Sequence, residues 1–302
     1  MSVISAVGSA EAVERSLRAV EDLVLDEVLL SFPYNSGSQL HEYFGAGPAP
    51  RAFGGSCAWQ SFEAGRLVAE MAGRQAEYRI DGRHVGVVHR DADSLTVLDP
   101  YLLHCRPLRL VRAGAVDGVV HLAAEAYPHR VRADGSPAPS GVRVQWRLDD
   151  DSVRLTYVRF SPRRGHNVIS RSFLLAADRT LGAVPPDPAW VRPQLLHPEQ
   201  HSVSVRVLHP AERRLAELVL PLAGPWPAGP ASSLLPRLIS KNNQGAVARY
   251  GTAAFDRDSE LVADAVAVDR ADVYGFLLEA AALHRAAAPA GLALADYSLE
   301  DE

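Results

Sequence analysis

The segment 53–99 constrains the fold of this chain more than any other, because its pattern changes from helical to extended within a short stretch. Two glycines precede Cys57, and the residues from Ala58 to Met71 have the spacing of an α-helix. From Glu77 onwards, short apolar runs alternate with turns that contain Asp and Gly, which predicts a meander of short strands. We therefore expect a helical domain that is followed directly by a β domain.

Cys57 stands at the start of the predicted helix, directly after Gly54, Gly55 and Ser56. A helix N-terminus favours a thiolate over a thiol, because the helix dipole and the unpaired amides there stabilise negative charge. The two glycines allow the backbone to approach closely at this point. We expect the backbone amides of Gly55 and Cys57 to stabilise an oxyanion that develops beside the thiol.

His84 and Asp99 lie on two neighbouring predicted strands downstream of Cys57. A cysteine nucleophile needs an imidazole that takes its proton and a carboxylate that holds the imidazole in one tautomer. In the alternative interpretation, Cys57 is a small buried apolar residue, and His84 and Asp99 are ordinary strand residues. Their combination with a glycine-bearing helix start favours a catalytic triad of Cys57, His84 and Asp99.

The motif Gly-Gly-Ser-Cys57, the later His84, and Asp99 at the end of a Leu-Thr-Val-Leu strand resemble the arylamine N-acetyltransferase superfamily. That superfamily has Arg-Gly-Gly-x-Cys, a His that opens one strand, and an Asp that closes the next. Upstream, Ser31 to Asn35 is similar to its Pro-Phe-Glu-Asn segment. The resemblance is specific over residues 30–100 and only architectural beyond them.

This resemblance implies an α+β fold with three domains. A helical domain that carries the nucleophile is expected over residues 1–75, a central antiparallel β-barrel that carries the His and the Asp over 76–180, and an α/β lid over 181–302. The alternation of apolar residues from Val142 to Leu148 and from Val153 to Phe160 independently predicts a hairpin in the β domain.

The departures from the superfamily pattern fall beside the nucleophile and after the acid. Phe53 stands where the family has Arg, Trp59 stands where it has Glu, and Tyr101 lies in a segment that has Val-Gly-Phe-Gly in the family. Together with Phe32, these positions are expected to line the substrate pocket. The triad chemistry is therefore retained, while the usual substrates of the family are not implied.

The resemblance implies a thioester-dependent acyltransferase that works through an acyl-enzyme on the cysteine. An arylamine, an amine at the end of the same chain, or the acidic carbon of a β-keto amide could accept the acyl group. The departures favour the last, a Dieckmann cyclase that releases a tetramate or pyridone from a polyketide-peptide assembly line in antibiotic biosynthesis. A non-catalytic binding module of the same fold is the alternative from another class.

No cofactor is expected, because the acyl group would arrive as a phosphopantetheine or coenzyme A thioester. The expected partner is an acyl or peptidyl carrier protein or coenzyme A, and the oligomeric state stays open. The basic segment 161–167 (Ser-Pro-Arg-Arg-Gly-His-Asn) is interpreted first as a solvated turn; the alternative is a contact with a phosphate or an acidic carrier.

Composition limits the remaining function classes. A net charge of −5 gives no general case for binding nucleic acid or anionic membranes. Only Cys57 and Cys105 are present, which disfavours a disulfide scaffold and is typical of a cytoplasmic protein. Cys105 lacks a glycine-bearing helix start, and the histidines lack the spacing of a zinc site, so neither a second nucleophile nor a metal is expected.

Overall fold

The computed structural model of this chain describes residues 3–227 and 229–297, with side chains from residue 16 onwards. The ends of the first and third predicted domains, 1–2 and 298–302, lie outside the described residues. The α-helices of the described part are α1 Val3–Ser31, α2 Ser38–Phe44, α3 Cys57–Ala72, α4 Pro188–Leu195, α5 Ala253–Ala265 and α6 Arg270–Ala287.

The strands of the described residues form three sheets, and every strand pair within them is antiparallel. The meander sheet contains β2 Glu77–Asp81, β3 His84–Arg90, β4 Ser94–Leu98 and β5 Leu108–Val111 in chain order. The long sheet contains β6 Ala115–Val116, β7 Val119–Val131, β8 Pro137–Arg147, β9 Val153–Ser161 and β10 His166–Leu175, also in chain order. The C-terminal sheet has the order β1 Tyr34–Asn35, β11 Ser202–Leu208, β12 Leu215–Pro221, β13 Ile239–Lys241 and β14 Val247–Arg249. The predicted α+β class is thereby confirmed.

Helix α3 lies between α1 and the meander sheet, and this packing sets the position of its first turn. Val28, Val68 and Val87, which come from α1, α3 and β3, are fully buried in one cluster. Full burial of such a side chain contributes about 1.5–3 kcal/mol. The hydroxyl of Ser61 donates a hydrogen bond of 2.7 Å to the Val85 carbonyl and ties α3 to β3 directly. Gly73, with φ of 66°, ends the helix in the left-handed conformation that glycine tolerates best.

No closed barrel forms among the described residues, which corrects the predicted β-barrel. The meander sheet and the long sheet are separate, and their inner faces share a core that includes Val97, Leu108, Trp146 and Leu155. Alternate residues of β8 and β9 are buried, as the predicted hairpin requires. Burial of one face of each sheet provides the core here without the continuous hydrogen bonding that closure would need.

The C-terminal sheet joins the N-terminal and C-terminal parts of the chain, because β1 pairs with β11 in the register Tyr34 to Arg206. Helices α5 and α6 cover one face of this sheet, and Phe255 and Leu277 are fully buried in the core between them. A segment of the predicted helical domain is therefore an integral strand of the sheet that lies in the predicted lid.

One local prediction differs from the structure, and another agrees with it. The sequence of segment 133–140 (Ala-Asp-Gly-Ser-Pro-Ala-Pro-Ser) predicts a mobile loop, yet Pro137 to Ser140 belong to β8 and pair with the end of β7. Proline lacks a backbone N–H, and it fits in this part of β8 because strand pairing does not need a hydrogen bond from every backbone amide. The basic segment 161–167 contains an exposed turn over residues 162–165, as its first interpretation expects, between the end of β9 at Ser161 and the start of β10 at His166.

Candidate active site

Cys57 is the first residue of α3, and a glycine loop held against β1 sets its position. Gly54 has φ of 70°, and a Cβ atom there would lie 2.0 Å from the Pro33 carbonyl oxygen. The Gly55 carbonyl accepts a hydrogen bond of 2.8 Å from the Asn35 amide. Only glycine satisfies both the backbone conformation and the contact at position 54. The loop and β1 therefore fix where the helix starts.

Asn35 organises the same loop from inside. Its side chain is buried, donates a hydrogen bond of 2.5 Å to the Phe53 carbonyl, and accepts bonds from the amides of Gly37 and Ser38. The Ser38 hydroxyl donates to the Gly54 carbonyl at 3.1 Å. These bonds satisfy buried polar groups that would otherwise destabilise the turn. The segment from Ser31 to Asn35 thus supports the nucleophile loop.

The backbone amides near Cys57 are not equally available to donate a hydrogen bond to an oxyanion. The Gly55 amide donates to the Pro33 carbonyl at 3.1 Å, and the Ser56 amide donates to the Gln39 side chain at 3.1 Å. Cys57 is the first helical residue, so its own amide has no acceptor within the helix. Of the two amides predicted to hold an oxyanion, the Gly55 amide is already engaged and the Cys57 amide points to the open end of the helix.

His84 and Asp99 form a buried pair. His84 Nε2 lies 2.7 Å from Asp99 Oδ2, and the side chains are 3% and 0% exposed. The Asp99 amide donates a hydrogen bond of 2.9 Å to Nε2 of the buried His104, which fixes the backbone at the end of β4. Because Nε2 of His84 faces the carboxylate, its Nδ1 is the nitrogen that remains for another group.

Cys57 lies beside this pair. Its Sγ atom is 4.0 Å from the carbonyl oxygen of Arg83, the residue before His84. Nδ1 of His84 is buried and has no hydrogen-bond partner within the described residues. Burial alone lowers the pKa of His84, but the charge of Asp99, the hydrogen bond to it and the nearby Cys57 thiol outweigh burial and raise the pKa to about 10. These interactions favour the imidazolium form of His84, and the structure places Cys57, His84 and Asp99 next to one another.

An aromatic wall surrounds the imidazole. The Phe173 ring stacks on His84 with 3.7 Å between centroids, and the Tyr101 ring lies 5.6 Å from His84. Tyr34 lies 5.0 Å from Tyr101. Burial raises the pKa of Tyr34, and the charges of Tyr101 and Cys57 raise it further, so its phenol is neutral. Sequence reasoning missed Phe173 and Tyr34, because each reaches the site through strand pairing with remote segments.

The four predicted pocket residues have different environments. Tyr101 faces the imidazole, as given above, and Phe32 lies against the glycine loop, 3.2 Å from where a Cβ atom of Gly55 would be. Trp59 contacts Phe62, with 5.3 Å between ring centroids. Phe53 is 3% exposed and stacks on Phe276 of α6 at 4.2 Å. Phe53 thus belongs to the core below the C-terminal sheet.

Other candidate sites carry less chemistry. Within the residues that the structure describes, no group of three or more His, Cys, Asp or Glu side chains is placed to bind a metal ion. A cavity of about 650 Å³ lies between Arg132, Phe160, Arg163 and Gln244, on the side of the long sheet where the basic segment turns. Of the helices described, none is long and apolar enough to span a bilayer.

No protein-family model matches this chain, and no curated protein matches it. Among solved structures, that of the arylamine N-acetyltransferase from Mycobacterium abscessus is similar at 13% sequence identity and a TM-score of 0.45, over 85% of this chain and 86% of that chain. A likeness this distant does not assign a function to the chain.

Proposed function

We propose that this chain is a cysteine acyltransferase that forms an acyl-enzyme on Cys57 from a carrier-bound thioester. The observation that carries the proposal is the buried His84–Asp99 pair, whose Nδ1 is left without a partner beside a thiol at a helix start. Each of these features favours a thiolate and imidazolium pair. An ordinary structural cysteine needs none of them.

The acylation step uses each group once. The Cys57 thiolate attacks the thioester carbonyl, and the Cys57 amide donates to the oxyanion that forms. His84 then donates its proton to the departing carrier thiolate, while Asp99 keeps Nε2 engaged so that Nδ1 faces the reaction. The products are acyl-Cys57, a free carrier thiol and a neutral imidazole that is ready to act as a base.

For the second step, we propose a Dieckmann condensation in which the acidic carbon of a β-keto amide displaces Cys57 and closes a tetramate or pyridone ring. Phe173, Tyr101 and Tyr34 line the site with large aromatic faces. Such a wall favours an internal carbon nucleophile over hydrolysis. Transfer to an arylamine or to an amine of the same chain is the competing outcome.

The first experiment is intact-protein mass spectrometry after mixing with three donors: acetyl coenzyme A, a simple acyl thioester of a carrier protein, and a β-ketoacyl-aminoacyl thioester of a carrier protein. We expect an adduct on Cys57 that turns over to a cyclic product with the third donor. The matched controls are Cys57→Ala, which removes the nucleophile, and Cys105→Ala, which keeps it.

Each other outcome has a definite meaning. A stable adduct from acetyl coenzyme A that transfers to an added arylamine would replace the cyclase proposal by N-acetyl transfer. Release of free acid alone from the third donor would make the protein a hydrolase. Absence of any adduct on Cys57 from all three donors would overturn the acyltransferase proposal and favour a binding module.

A further inference from the structure

A row of polar side chains crosses the C-terminal sheet near the candidate site. Tyr34 on β1 pairs with Arg206 on β11, which pairs with Glu217 on β12, which pairs with Lys241 on β13. Residues directly opposite each other on antiparallel strands have their side chains on the same face of the sheet. The four side chains therefore form one continuous row, which is invisible in the sequence because its members are far apart along the chain.

Arg206 is held at the Tyr34 end of this row between two aromatic rings. Its guanidinium carbon lies 4.7 Å from the Tyr34 ring centroid and 4.8 Å from the Tyr101 ring centroid. Nη2 donates a hydrogen bond of 2.9 Å to the Tyr101 carbonyl, while Nε is buried and has no hydrogen-bond partner. Because a buried N–H without an acceptor is costly, this guanidinium is suited to a ligand that supplies one.

A second guanidinium approaches from the long sheet. Arg171 on β10 donates a hydrogen bond of 3.2 Å from Nε to the Tyr101 hydroxyl. Phe173, two residues further along the same strand, stacks on His84. Side chains two residues apart on a strand point to the same side, so Arg171 and Phe173 belong to one wall of the site. Tyr101 thus lies between two arginines that come from different sheets.

The charges in this region do not cancel. Among the side chains that the structure describes, neither Arg171 nor Arg206 has a carboxylate within ion-pair distance. Glu217, the carboxylate opposite Arg206, lies 3.8 Å from Lys241 and also acts on Arg171 through its charge, so it is shared among several cations. Two cations are therefore left facing Tyr101 and, through it, the reacting centre. Two neighbouring cations stabilise a bound anion but do not stabilise a neutral amine.

The position of the cluster decides which anion fits. Tyr101 lies 5.6 Å from His84 and 5.0 Å from Tyr34 and contacts both arginines, so the arginines lie one aromatic ring away from the candidate imidazole. The phosphates of a pantetheine arm are many bonds away from its thioester, so they would not reach this point. The Tyr34 and Tyr101 rings also present flat faces, which suit a planar, delocalised anion.

We propose that Arg171 and Arg206, walled by Tyr34 and Tyr101, bind the enolate oxygens of a 1,3-dicarbonyl acceptor beside Cys57. This inference rests on the proposed function and extends it to the second step. His84 Nδ1 takes the proton from the carbon between the two carbonyls, and the electron pair is delocalised onto the oxygens that the arginines hold. That carbon then attacks acyl-Cys57, so that a C–C bond forms, the C–S bond breaks, and Cys57 leaves as a thiolate beside protonated His84.

The first test separates acylation from cyclisation in Arg171→Gln and Arg206→Gln, with rapid-quench intact mass on the β-ketoacyl-aminoacyl carrier thioester. We expect acylation of Cys57 within about threefold of wild type and cyclisation about 100-fold slower, so that the acyl-enzyme accumulates. The control is Arg154→Gln, an exposed residue of β9 on the face of the long sheet opposite to Arg171, which should leave both steps unchanged. Arg171 is exposed, so its variant stays informative if the half-buried Arg206→Gln protein does not fold.

The second test measures binding without turnover, by calorimetry with a 3-acyl tetramic acid and with its neutral O-methyl ether. We expect wild type to bind the anion at least about tenfold more tightly than the ether, and Arg171→Gln to lose that preference. Unchanged preference, or equal loss of acylation and cyclisation in Arg171→Gln, would overturn the inference while acylation of Cys57 keeps the proposed function intact. An arginine-dependent preference in a protein that never acylates Cys57 would support the anion site and overturn the proposed function.

Discussion

The chain contains two cysteines that each lie near a histidine, and their surroundings differ in every other respect. Cys105 Sγ is 3.7 Å from His129 Nε2, and the His129 ring stacks on Tyr127 at 4.7 Å. Burial, followed by the charges of Glu125 and Asp26, raises the pKa of the Cys105 thiol to about 11. Cys105 is therefore a neutral thiol at physiological pH.

Cys57 differs from Cys105 in its position at a helix start and in the carboxylate partner of its histidine. It begins a helix, and its histidine is buried and paired with Asp99 at 2.7 Å. Within the described residues, His129 has no such carboxylate partner. The difference teaches that an imidazole near a thiol does not make a nucleophile. The carboxylate and the helix start determine where the proton lies.

The largest effect should separate the two thiols directly. Under the proposed function, Cys57→Ala removes the group that forms the acyl-enzyme, so turnover of the preferred thioester should fall by at least about 10⁴-fold. Cys105→Ala should keep turnover within about twofold of wild type. Steady-state rates of thiol release measure both variants, and a Cys105→Ala protein as inactive as Cys57→Ala would reverse the assignment.

Removing the carboxylate of Asp99 should make the Cys57–His84 pair resemble the Cys105–His129 pair. Asp99→Asn keeps the size of the side chain but no longer stabilises imidazolium or its tautomer, so kcat should fall by about 10³- to 10⁴-fold with the fold intact. Circular dichroism serves as the control for folding. An Asp99→Asn enzyme within tenfold of wild-type kcat would show that the His84–Asp99 pair is structural only.

The helix start can be tested through its glycines. Gly54 and Gly73 both have positive φ, at 70° and 66°, but a Cβ atom would meet Pro33 backbone within 2.0 Å at Gly54 and nothing within 4 Å at Gly73. We expect Gly73→Ala to lower the free energy of unfolding by about 1 kcal/mol, and Gly54→Ala by at least about 3 kcal/mol. Urea denaturation measures both, and equal losses would show that the contact with Pro33 is soft.

The His84–Asp99 pair also predicts a pH dependence of stability. The pKa of His84 is about 10 in the folded chain and 6.5 in its ordinary state, so its contribution to stability is fully present below pH 6.5 and is lost as pH rises through about 10. The free energy of unfolding should therefore fall between pH 7 and pH 10 in wild type. The same fall should be smaller in His84→Gln, and parallel curves for the two proteins would contradict the assignment.

The smallest expected effect is on the chemical reactivity of Cys105. Because its thiolate fraction stays low below pH 11, its alkylation by iodoacetamide should be slow at pH 8 and rise about tenfold per pH unit up to about 11. Peptide mass mapping after short reaction times measures this rate site by site. Fast alkylation of Cys105 at pH 8 would remove the contrast between the two thiols.

Much of the contrast between Cys57 and Cys105 can be predicted from the sequence, because it depends on local signals. The glycine pair before Cys57, the helical spacing from Ala58 to Met71 and the alternation around His84 and Asp99 act over a few residues each. Local propensity and periodicity determine such elements, and α3, β3 and β4 form where they indicate. The order of the three candidate residues follows from these elements alone.

Only the tertiary structure decided which side chains surround Cys57, His84 and Asp99. Phe53 stands next to the glycines in the sequence, yet it packs on Phe276 of α6. Arg206 and Phe173 lie more than a hundred and nearly ninety residues, respectively, after His84 in the chain, yet strand pairing brings them to the same cleft. Register and sheet packing, which no local pattern encodes, set these neighbours, because they depend on long-range pairing of the whole chain.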